Sequence, residues 1–207
     1  ILARLPNKGG RDRVGAEFMP LVTRHNLSVD LDRAVLLKLF AEAGRTKTRD
    51  VIAINLSPEA VADESFVTWL EGMLGQDVRS RLNLVFELSE HGVTQNEAAA
   101  QRFAERITRR GAEFAIDHFG VHTESLALVQ RLRPAYIKLS AVHTARIASD
   151  TGTRFFVEAV VRAAKQLDVP VLGQRIEDAE TLTTLQELGF GGYQGYIAGK
   201  PESWPAG

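Results

Sequence analysis

Polar side chains that bind cations or phosphate follow six short apolar runs of this chain. They are, in order, Asn55, Glu87, Asp117, Lys138, Gln174 and Gln194. Carboxylate and amide oxygens are the donors that Mg²⁺ and Mn²⁺ prefer in proteins. Convergence of Asn55, Glu87 and Asp117 would make a metal site, although any one of them alone is better explained as a helix or loop cap. The Lys138 ammonium can contact a phosphate or orient a water molecule. Taken alone, Lys138 is expected to pair with a nearby carboxylate.

The elements that must position these residues alternate between strands and helices. Segments with apolar residues at helical spacing separate the strands, as parallel strands require. This pattern is typical of a (β/α) barrel, an α/β fold whose functional groups lie at the carboxyl ends of the strands. A closed barrel has eight strands, so an eighth is expected before Ile1. The seven predicted strands span Ile1–Leu5, Val51–Leu56, Leu82–Leu88, Glu113–Asp117, Tyr136–Leu139, Val169–Leu172 and Tyr193–Ala198.

Helix boundaries follow from capping residues. Asp30 is a predicted N-cap for a helix over Leu31–Phe40, and Asn96 for a helix that ends at Gly111. Asp150 precedes a long helical stretch, and another helix runs over Asp178–Leu188. These helices are the crossovers between the predicted strands.

Bulk composition bounds the class of protein. The chain has 207 residues, of which 44% are hydrophobic and 25% charged, with a net charge of -1, so one soluble domain over residues 1–207 is expected. Balanced charge does not favour a DNA or RNA duplex as partner. The absence of cysteine excludes disulfides, zinc–thiolate sites and thiol nucleophiles. No apolar run approaches the ~20 residues that span a bilayer, so no direct membrane insertion by this segment is expected.

The chain starts at Ile1, inside a predicted strand and without an initiator methionine. We therefore expect it to be a fragment of a longer protein. The absence of cysteine fits a cytoplasmic domain, and a membrane anchor elsewhere in the longer protein stays an open alternative.

Eight short motifs occur in a fixed order along the chain. They are Ile1-Leu2-Ala3-Arg4, Phe18-Met19-Pro20, Ile54-Asn55-Leu56-Ser57, Phe86-Glu87-Leu88-Ser89-Glu90, Asp117-His118-Phe119-Gly120, Ile137-Lys138-Leu139-Ser140, Gly173-Gln174-Arg175-Ile176-Glu177 and Gln194-Gly195-Tyr196. Together they resemble the ExLxR, FxP, VNLS, E(I/L)TE, DDFG, IKID, AEGVE and QGY motifs of EAL domains, which bind and hydrolyse cyclic di-GMP. The resemblance implies a TIM-like barrel of the EAL type.

Three positions depart from the acidic residues that the resemblance leads us to expect. His118 replaces the second aspartate of DDFG, Ser140 the aspartate of IKID, and Gln174 the first glutamate of AEGVE. In active members those acids help to hold or serve a pair of metal ions. Two divalent cations repel each other strongly unless carboxylates offset the repulsion, so the second metal is expected to bind poorly here. The stretch Val121–Ser125 also replaces a glycine-containing loop.

The resemblance implies that other site residues are retained. Asn55, Glu87 and Asp117 remain as a residual first site for Mg²⁺ or Mn²⁺, which a receptor would not require, and Lys138 remains as a vestigial catalytic residue. Glu90 is expected to support the loop after Gly120. The positions that contact or shape the dinucleotide site in the family are Leu2, Arg4, Glu177, Gln194 and Pro201. An arginine such as Arg4 can also meet a phosphate in bidentate geometry.

The three acids of the metal site are missing, whereas the positions that contact the dinucleotide are retained. This combination predicts a receptor that binds cyclic di-GMP and signals through a homodimer and a regulated partner protein. Such degenerate domains occur in LapD-type receptors, which this chain resembles. One alternative is a slow metal-dependent phosphodiesterase that produces linear pGpG, with His118 as a surrogate Mn²⁺ ligand. A second alternative is a protein-interaction module without nucleotide binding.

Overall fold

The computed structural model describes residues 3–6, 10–43, 51–75, 82–122 and 125–202. Within these ranges the chain is α/β, as predicted. The strands are β1 (Arg4–Leu5), β2 (Arg13–Val14), β3 (Val51–Leu56), β4 (Asn83–Ser89), β5 (Glu113–Phe119), β6 (Ile137–Leu139), β7 (Val171–Gly173) and β8 (Gly192–Tyr193). The helices are α1 (Gly15–Arg24), α2 (Ser28–Ala43), α3 (Pro58–Ala62), α4 (Glu64–Met73), α5 (Glu90–Gln95), α6 (Glu97–Arg109), α7 (Ser125–Leu132), α8 (Ala141–Thr144), α9 (Thr151–Gln166) and α10 (Ala179–Leu188).

Side-chain caps start several of the helices where the sequence predicted them. Asn96 accepts a hydrogen bond from the Ala99 amide at the start of α6, and Asp150 caps α9 in the same way. Gly189 ends α10 in the left-handed conformation, with φ of 82°. The prediction for Asp30 was wrong, because α2 begins at Ser28 and places Asp30 inside its first turn. An acidic residue in a first turn is favourable without being the cap.

The larger sheet is ordered as the chain is, from β3 to β8, and β1 pairs with β2 in a separate two-stranded sheet. The pairs β5–β6, β6–β7 and β7–β8 are parallel. Parallel neighbours joined by helices place the carboxyl ends of these strands at one edge. The TIM-like fold class predicted from the sequence is therefore supported by the topology.

Two predicted strands differ in the structure. Ile1 and Leu2 lie outside the described residues, and the described end of that segment, β1, pairs antiparallel with β2. The last strand is shorter than the predicted Tyr193–Ala198, because the backbone turns after Tyr193. Ile197 donates to the carbonyl of Ile176, and Ala198 donates to that of Gly195, which forms a turn rather than a ladder.

The chain divides into two compact units. Among the described residues, the first contains those up to Phe86 and residues 96–112, and its core includes Phe66, Leu70 and Phe103. The second contains residues 87–95 and 113–202, and its core includes Ile116 and Phe119. That residues 1–207 form a single domain stays a prediction. In the described ranges, no helix is long and apolar enough to cross a membrane.

Candidate functional site

Glu87 and Lys138 meet at the carboxyl ends of β4 and β6. The Lys138 ammonium lies 2.9 Å from Glu87 Oε1 and 3.0 Å from Oε2. The hydroxyl of Tyr136 donates a second hydrogen bond to Oε1, at 2.6 Å. Tyr136 and Lys138 are two residues apart, so they project from the same face of the chain. Glu87 is thus held by two donors, and the predicted pairing of Lys138 with a carboxylate is confirmed, although the pair is buried.

Asp117 on β5 lies beside the same lysine. Its Oδ2 is 3.8 Å from Lys138 Nζ, and its Oδ1 accepts a hydrogen bond from the side-chain amide of Gln174, which follows β7. The backbone N–H of His118 also donates to Oδ1, at 2.6 Å. We call Glu87, Asp117, Tyr136, Lys138 and Gln174 the polar cluster. Four of these residues, Glu87, Asp117, Lys138 and Gln174, follow strands that the sequence predicted, and the structure brings their side chains together.

His118 lies at the exposed edge of the polar cluster. The Asp117 side chain is 6% exposed and that of His118 is 62% exposed, as strand alternation predicted. The register with β6 shifts between Ile116 and Phe119, and His118 has a φ of 56°. This bulge brings the His118 ring back so that Nδ1 lies 3.3 Å from Asp117 Oδ1. A bulge beside a site commonly re-aims a side chain in this way.

The charges in and around the polar cluster shift three ionisation equilibria. Burial raises the pKa of Asp117, but the His118 hydrogen bond and the positive charge of Lys138 outweigh burial, so the net pKa is lowered. The hydrogen bond to Asp117 raises the pKa of the His118 ring. Burial, and then the hydrogen bond to Glu87, raise the pKa of the Tyr136 hydroxyl. Asp117 therefore stays ionised, and Tyr136 stays a neutral donor.

The polar cluster is a poor fit to a divalent cation as it is folded. Lys138, Tyr136 and Gln174 already donate to the carboxylates that would bind the metal. Within the described ranges, no group of three His, Cys, Asp or Glu side chains is arranged to hold an ion. The third predicted ligand, Asn55, is exposed at the end of β3. That Asn55, Glu87 and Asp117 form a first metal site stays a prediction.

Glu90 fixes the start of the loop that follows β5. Its side chain is buried at the start of α5, and its carboxylate accepts hydrogen bonds from the backbone N–H groups of Gly120, Val121 and His122, at 3.2, 2.9 and 3.2 Å. The geometry is that of a loop support. The predicted departure of this loop from the glycine-containing pattern falls partly on Thr123 and Glu124, which lie outside the described residues.

Ser140, the third of the neutral replacements, is buried at the end of β6. Its N–H donates to the carbonyl of Phe119, at 2.9 Å, and it is the N-cap residue of α8. Thr144 at the end of α8 donates from its hydroxyl to the carbonyl of Gln174, at 2.7 Å. The short helix is therefore tied to the carboxyl ends of both β5 and β7.

Three of the predicted ligand positions lie in the second unit. Glu177, Gln194 and Pro201 are all exposed. The backbone joins two of these segments, since Gln194 donates to the carbonyl of Gly173 and accepts from the N–H of Ile176. Arg4 is exposed in the first unit, and Leu2 lies outside the described residues. The predicted ligand roles of these five residues stay predictions.

Sequence reasoning missed Tyr136 and His143. Tyr136 shares its face with Lys138, and this spacing of two residues was the available signal. His143 on α8 has Nε2 2.8 Å from the carbonyl oxygen of Gly120, so it adds a second hold on the loop that Glu90 supports. Its ring also lies 4.8 Å from that of Phe156. Nothing in the sequence near His143 pointed to this contact.

Comparison with known proteins gives a consistent family. The model of the EAL domain family matches residues 1–201. Cyclic di-GMP phosphodiesterase PdeF of Escherichia coli is 27% identical over 207 residues, which cover 98% of this chain and 27% of PdeF. Cyclic di-GMP phosphodiesterase PdeA of Borreliella burgdorferi is 22% identical over 205 residues, 98% of this chain and 31% of that protein. The chain thus spans about a quarter to a third of the length of these curated relatives.

Solved structures show the same fold. The GGDEF–EAL segment of Vibrio cholerae LapD without ligand superposes with a TM-score of 0.87 at 23% identity, over 95% of this chain and 48% of that one. The FimX EAL domain of Pseudomonas aeruginosa bound to c-di-GMP superposes with a TM-score of 0.86 at 22% identity, over 96% of this chain and 81% of that one. Klebsiella pneumoniae BlrP1 in a manganese and cy-diGMP complex superposes with a TM-score of 0.70 at 26% identity, over 82% of this chain and 44% of that one.

Proposed function

The chain belongs to the EAL domain family, and we propose that it is a catalytically degenerate member that binds cyclic di-GMP and acts as a signalling receptor. The observation that carries the proposal is the polar cluster. Gln174 donates to Asp117 where the EAL motif would supply a glutamate, so a neutral amide replaces a carboxylate beside the retained Glu87, Asp117 and Lys138.

Charge explains why this arrangement disfavours hydrolysis. Glu87 and Asp117 carry two negative charges, and Lys138 offsets one of them. The raised pKa of the His118 ring adds positive charge at the edge of the cluster as the pH falls. A divalent cation would enter a site with little net negative charge left to attract it. Without the metal ions, the attacking water keeps the high pKa of bulk water.

Ligand binding is supported by different residues. Glu177, Gln194 and Pro201 are exposed at positions that match the dinucleotide site of the family, and their backbone is fixed by hydrogen bonds between the segments 173–176 and 194–197. These hydrogen bonds join Gly173 and Ile176 to Gln194 and Ile197, and no group of the polar cluster takes part in them. We propose that binding changes a homodimer and is relayed to a regulated partner protein.

The decisive experiment is calorimetric titration of cyclic di-GMP into this chain, once with EDTA and once with Mn²⁺, followed by chromatography of the nucleotide. A receptor should bind with similar affinity in both conditions and return the ligand uncleaved. The matched variant His118→Asp, Ser140→Asp, Gln174→Glu restores the three acids, and we expect it to bind Mn²⁺ and to gain hydrolysis. Cleavage by the unaltered chain would refute the receptor proposal.

The second candidate is a slow phosphodiesterase that produces linear pGpG. It is favoured by the curated relatives, which are phosphodiesterases at 22% to 27% identity, and by the retention of Glu87, Asp117 and Lys138 together. In that case Mn²⁺ should promote cleavage, and restoring the three acids should change the rate little. A chain that binds no cyclic di-GMP in either condition would leave the protein-interaction module.

A further inference from the structure

Arg175 occupies a strained backbone position next to the polar cluster. Its φ is 53°, in the left-handed region that glycine enters freely and that a residue with a Cβ atom enters at a steric cost. In the AEGVE motif that residues 173–177 resemble, this position is a glycine. Strain of this kind persists where the surrounding structure imposes it, and it concentrates at functional sites. Arg175 thus departs from the motif at a strained position that lies next to the polar cluster.

The neighbours of Arg175 fix its place. Gln174, one residue before it, donates to Asp117, and the N–H of Ile176, one residue after it, donates to the carbonyl of Gln194 at 3.1 Å. The Cα of Arg175 is thus held between the polar cluster and a predicted ligand-binding residue. Its side chain is exposed, and in the part of the chain that the structure describes it makes no ion pair or side-chain hydrogen bond.

The guanidinium also lies within electrostatic reach of His118. The hydrogen bond to Asp117 raises the pKa of the His118 ring above its ordinary value, and the positive charges of Lys138 and Arg175 oppose this rise only in part. His118 is itself in the left-handed region, with φ of 56°, and its side chain is largely exposed. Two strand ends of the second unit therefore present basic side chains from left-handed positions beside the polar cluster.

We propose that the Arg175 guanidinium binds a phosphate group of the cyclic dinucleotide. The inference rests on the proposed function and adds to it the group that recognises the phosphate. A guanidinium is always charged, and its N–H groups form a planar fork that matches two phosphate oxygens. It supplies positive charge in a chain whose second metal ion is expected to bind poorly, so recognition of the phosphate needs neither a metal ion nor a change in protonation.

The test is calorimetric titration of cyclic di-GMP in EDTA into the unaltered chain, Arg175→Gly and Arg175→Lys. Arg175→Gly removes the guanidinium without disturbing the backbone, because glycine accepts the same φ. Loss of a charge-assisted contact should weaken affinity about tenfold or more. Arg175→Lys keeps the charge but loses the fork, so an intermediate affinity is expected. Higher salt should weaken binding by the unaltered chain more than by Arg175→Gly.

Arg133 offers a matched control in the same unit. It is also exposed and left-handed, with φ of 45°, but it lies between α7 and β6, at the amino end of the strand. Arg133→Gly makes the same chemical change away from the polar cluster, so its affinity should equal that of the unaltered chain. An equal loss in both variants, or no loss in Arg175→Gly, would overturn the inference alone. No binding by the unaltered chain would instead refute the proposed function on which it rests.

Discussion

Lys138 and Glu87 form a buried ion pair in which the ammonium lies within 3.0 Å of both carboxylate oxygens. The two side chains are 10% and 3% exposed. The same ammonium is 3.8 Å from Asp117, so one cation serves two carboxylates. Charges buried in this way depend on one another, because each loses most of its hydration. The polar cluster is therefore a structural unit as well as a candidate site.

Replacing Lys138 by methionine should strongly destabilise the chain. The variant keeps the length of the side chain but leaves Glu87 and Asp117 as two buried carboxylates without a cation. Removing one partner of a buried ion pair costs roughly 3–5 kcal/mol. Urea unfolding at pH 7 measures the change, and Lys165→Met, at an exposed position of α9, is the control that should change little.

The double variant Lys138→Met, Glu87→Gln tests the pairing itself. If the two residues act as a pair, the double variant should be more stable than Lys138→Met alone, since a lone buried carboxylate is removed. Additive effects of the two substitutions would contradict a direct interaction. Addition of Mn²⁺ to Lys138→Met should raise its melting temperature, because the two carboxylates would then be open to a cation.

The lowered pKa of Asp117 gives a pH dependence with a defined sign. Its folded pKa lies below its ordinary value of 3.8, so between the two values the unfolded chain binds more protons than the folded chain. The contribution of Asp117 to stability is therefore present above pH ~4 and is lost as the pH falls through the folded pKa. Urea unfolding from pH 7 to pH 3 should show the advantage of the unaltered chain over Asp117→Asn shrinking in acid.

Asp32 supplies an internal control with the opposite sign. Burial raises the pKa of its carboxylate above 3.8, although Ser57 donates to it from both its N–H and its hydroxyl, at 2.8 and 2.6 Å. Its favourable contribution is therefore present at low pH and is lost as the pH rises through the folded pKa. The stability of Asp32→Asn relative to the unaltered chain, measured by urea unfolding, should therefore be higher at pH 7 than at pH 3. A pH-independent difference for either variant would contradict its assigned pKa shift.

The sequence predicted the strands and their polar ends well, because apolar runs and capping residues are local signals. Asn96 and Asp150 cap helices where expected, and Glu87, Asp117, Lys138 and Gln174 do meet. Which of these side chains bind each other, and which are free to bind a ligand, was harder to predict. The residue types at the strand ends suggested that the oxygens of Glu87 and Asp117 are free to bind a metal ion. In the structure these oxygens already accept hydrogen bonds from Tyr136, Lys138 and Gln174.

The reason is that a donor and an acceptor pair over long sequence distances. Tyr136 reaches Glu87 across 49 positions, and Gln174 reaches Asp117 across 57. No window of local sequence contains both partners, so only the folded chain shows which polar groups neutralise each other. Likewise residue type alone does not predict the left-handed conformation of Arg175, since arginine normally avoids that region.

Gly195 should not tolerate a side chain. A Cβ at this position would lie 2.7 Å from the carbonyl carbon of Ile176 and closer still to its backbone nitrogen and oxygen. These are backbone atoms that cannot swing away, so Gly195→Ala should force the segments 173–176 and 194–197 apart. We expect a loss of roughly 2 kcal/mol or more in urea unfolding, together with weaker binding of cyclic di-GMP.

Gly72 is the control for this substitution. It lies within α4, and a Cβ there would meet nothing within 4 Å. Gly72→Ala should therefore stabilise the chain by up to about 1 kcal/mol, because alanine favours the helix. If Gly195→Ala were as well tolerated as Gly72→Ala, the close backbone approach would be wrong.

Glu90→Gln should loosen the loop after β5 while leaving the surrounding shape intact. The amide keeps one acceptor oxygen but replaces the other with an NH₂ group that repels backbone N–H donors. Three hydrogen bonds to a carboxylate, at 2.9 to 3.2 Å, are therefore weakened together. The amide protons of Gly120, Val121 and His122 should exchange with solvent about tenfold faster or more, as measured by NMR.

The control is Glu180→Gln on the exposed first turn of α10, which should leave these three amides unchanged. Because His143 also holds the Gly120 carbonyl, the double variant Glu90→Gln, His143→Leu should exchange faster still. Unchanged protection in Glu90→Gln would show that the carboxylate does not hold the loop.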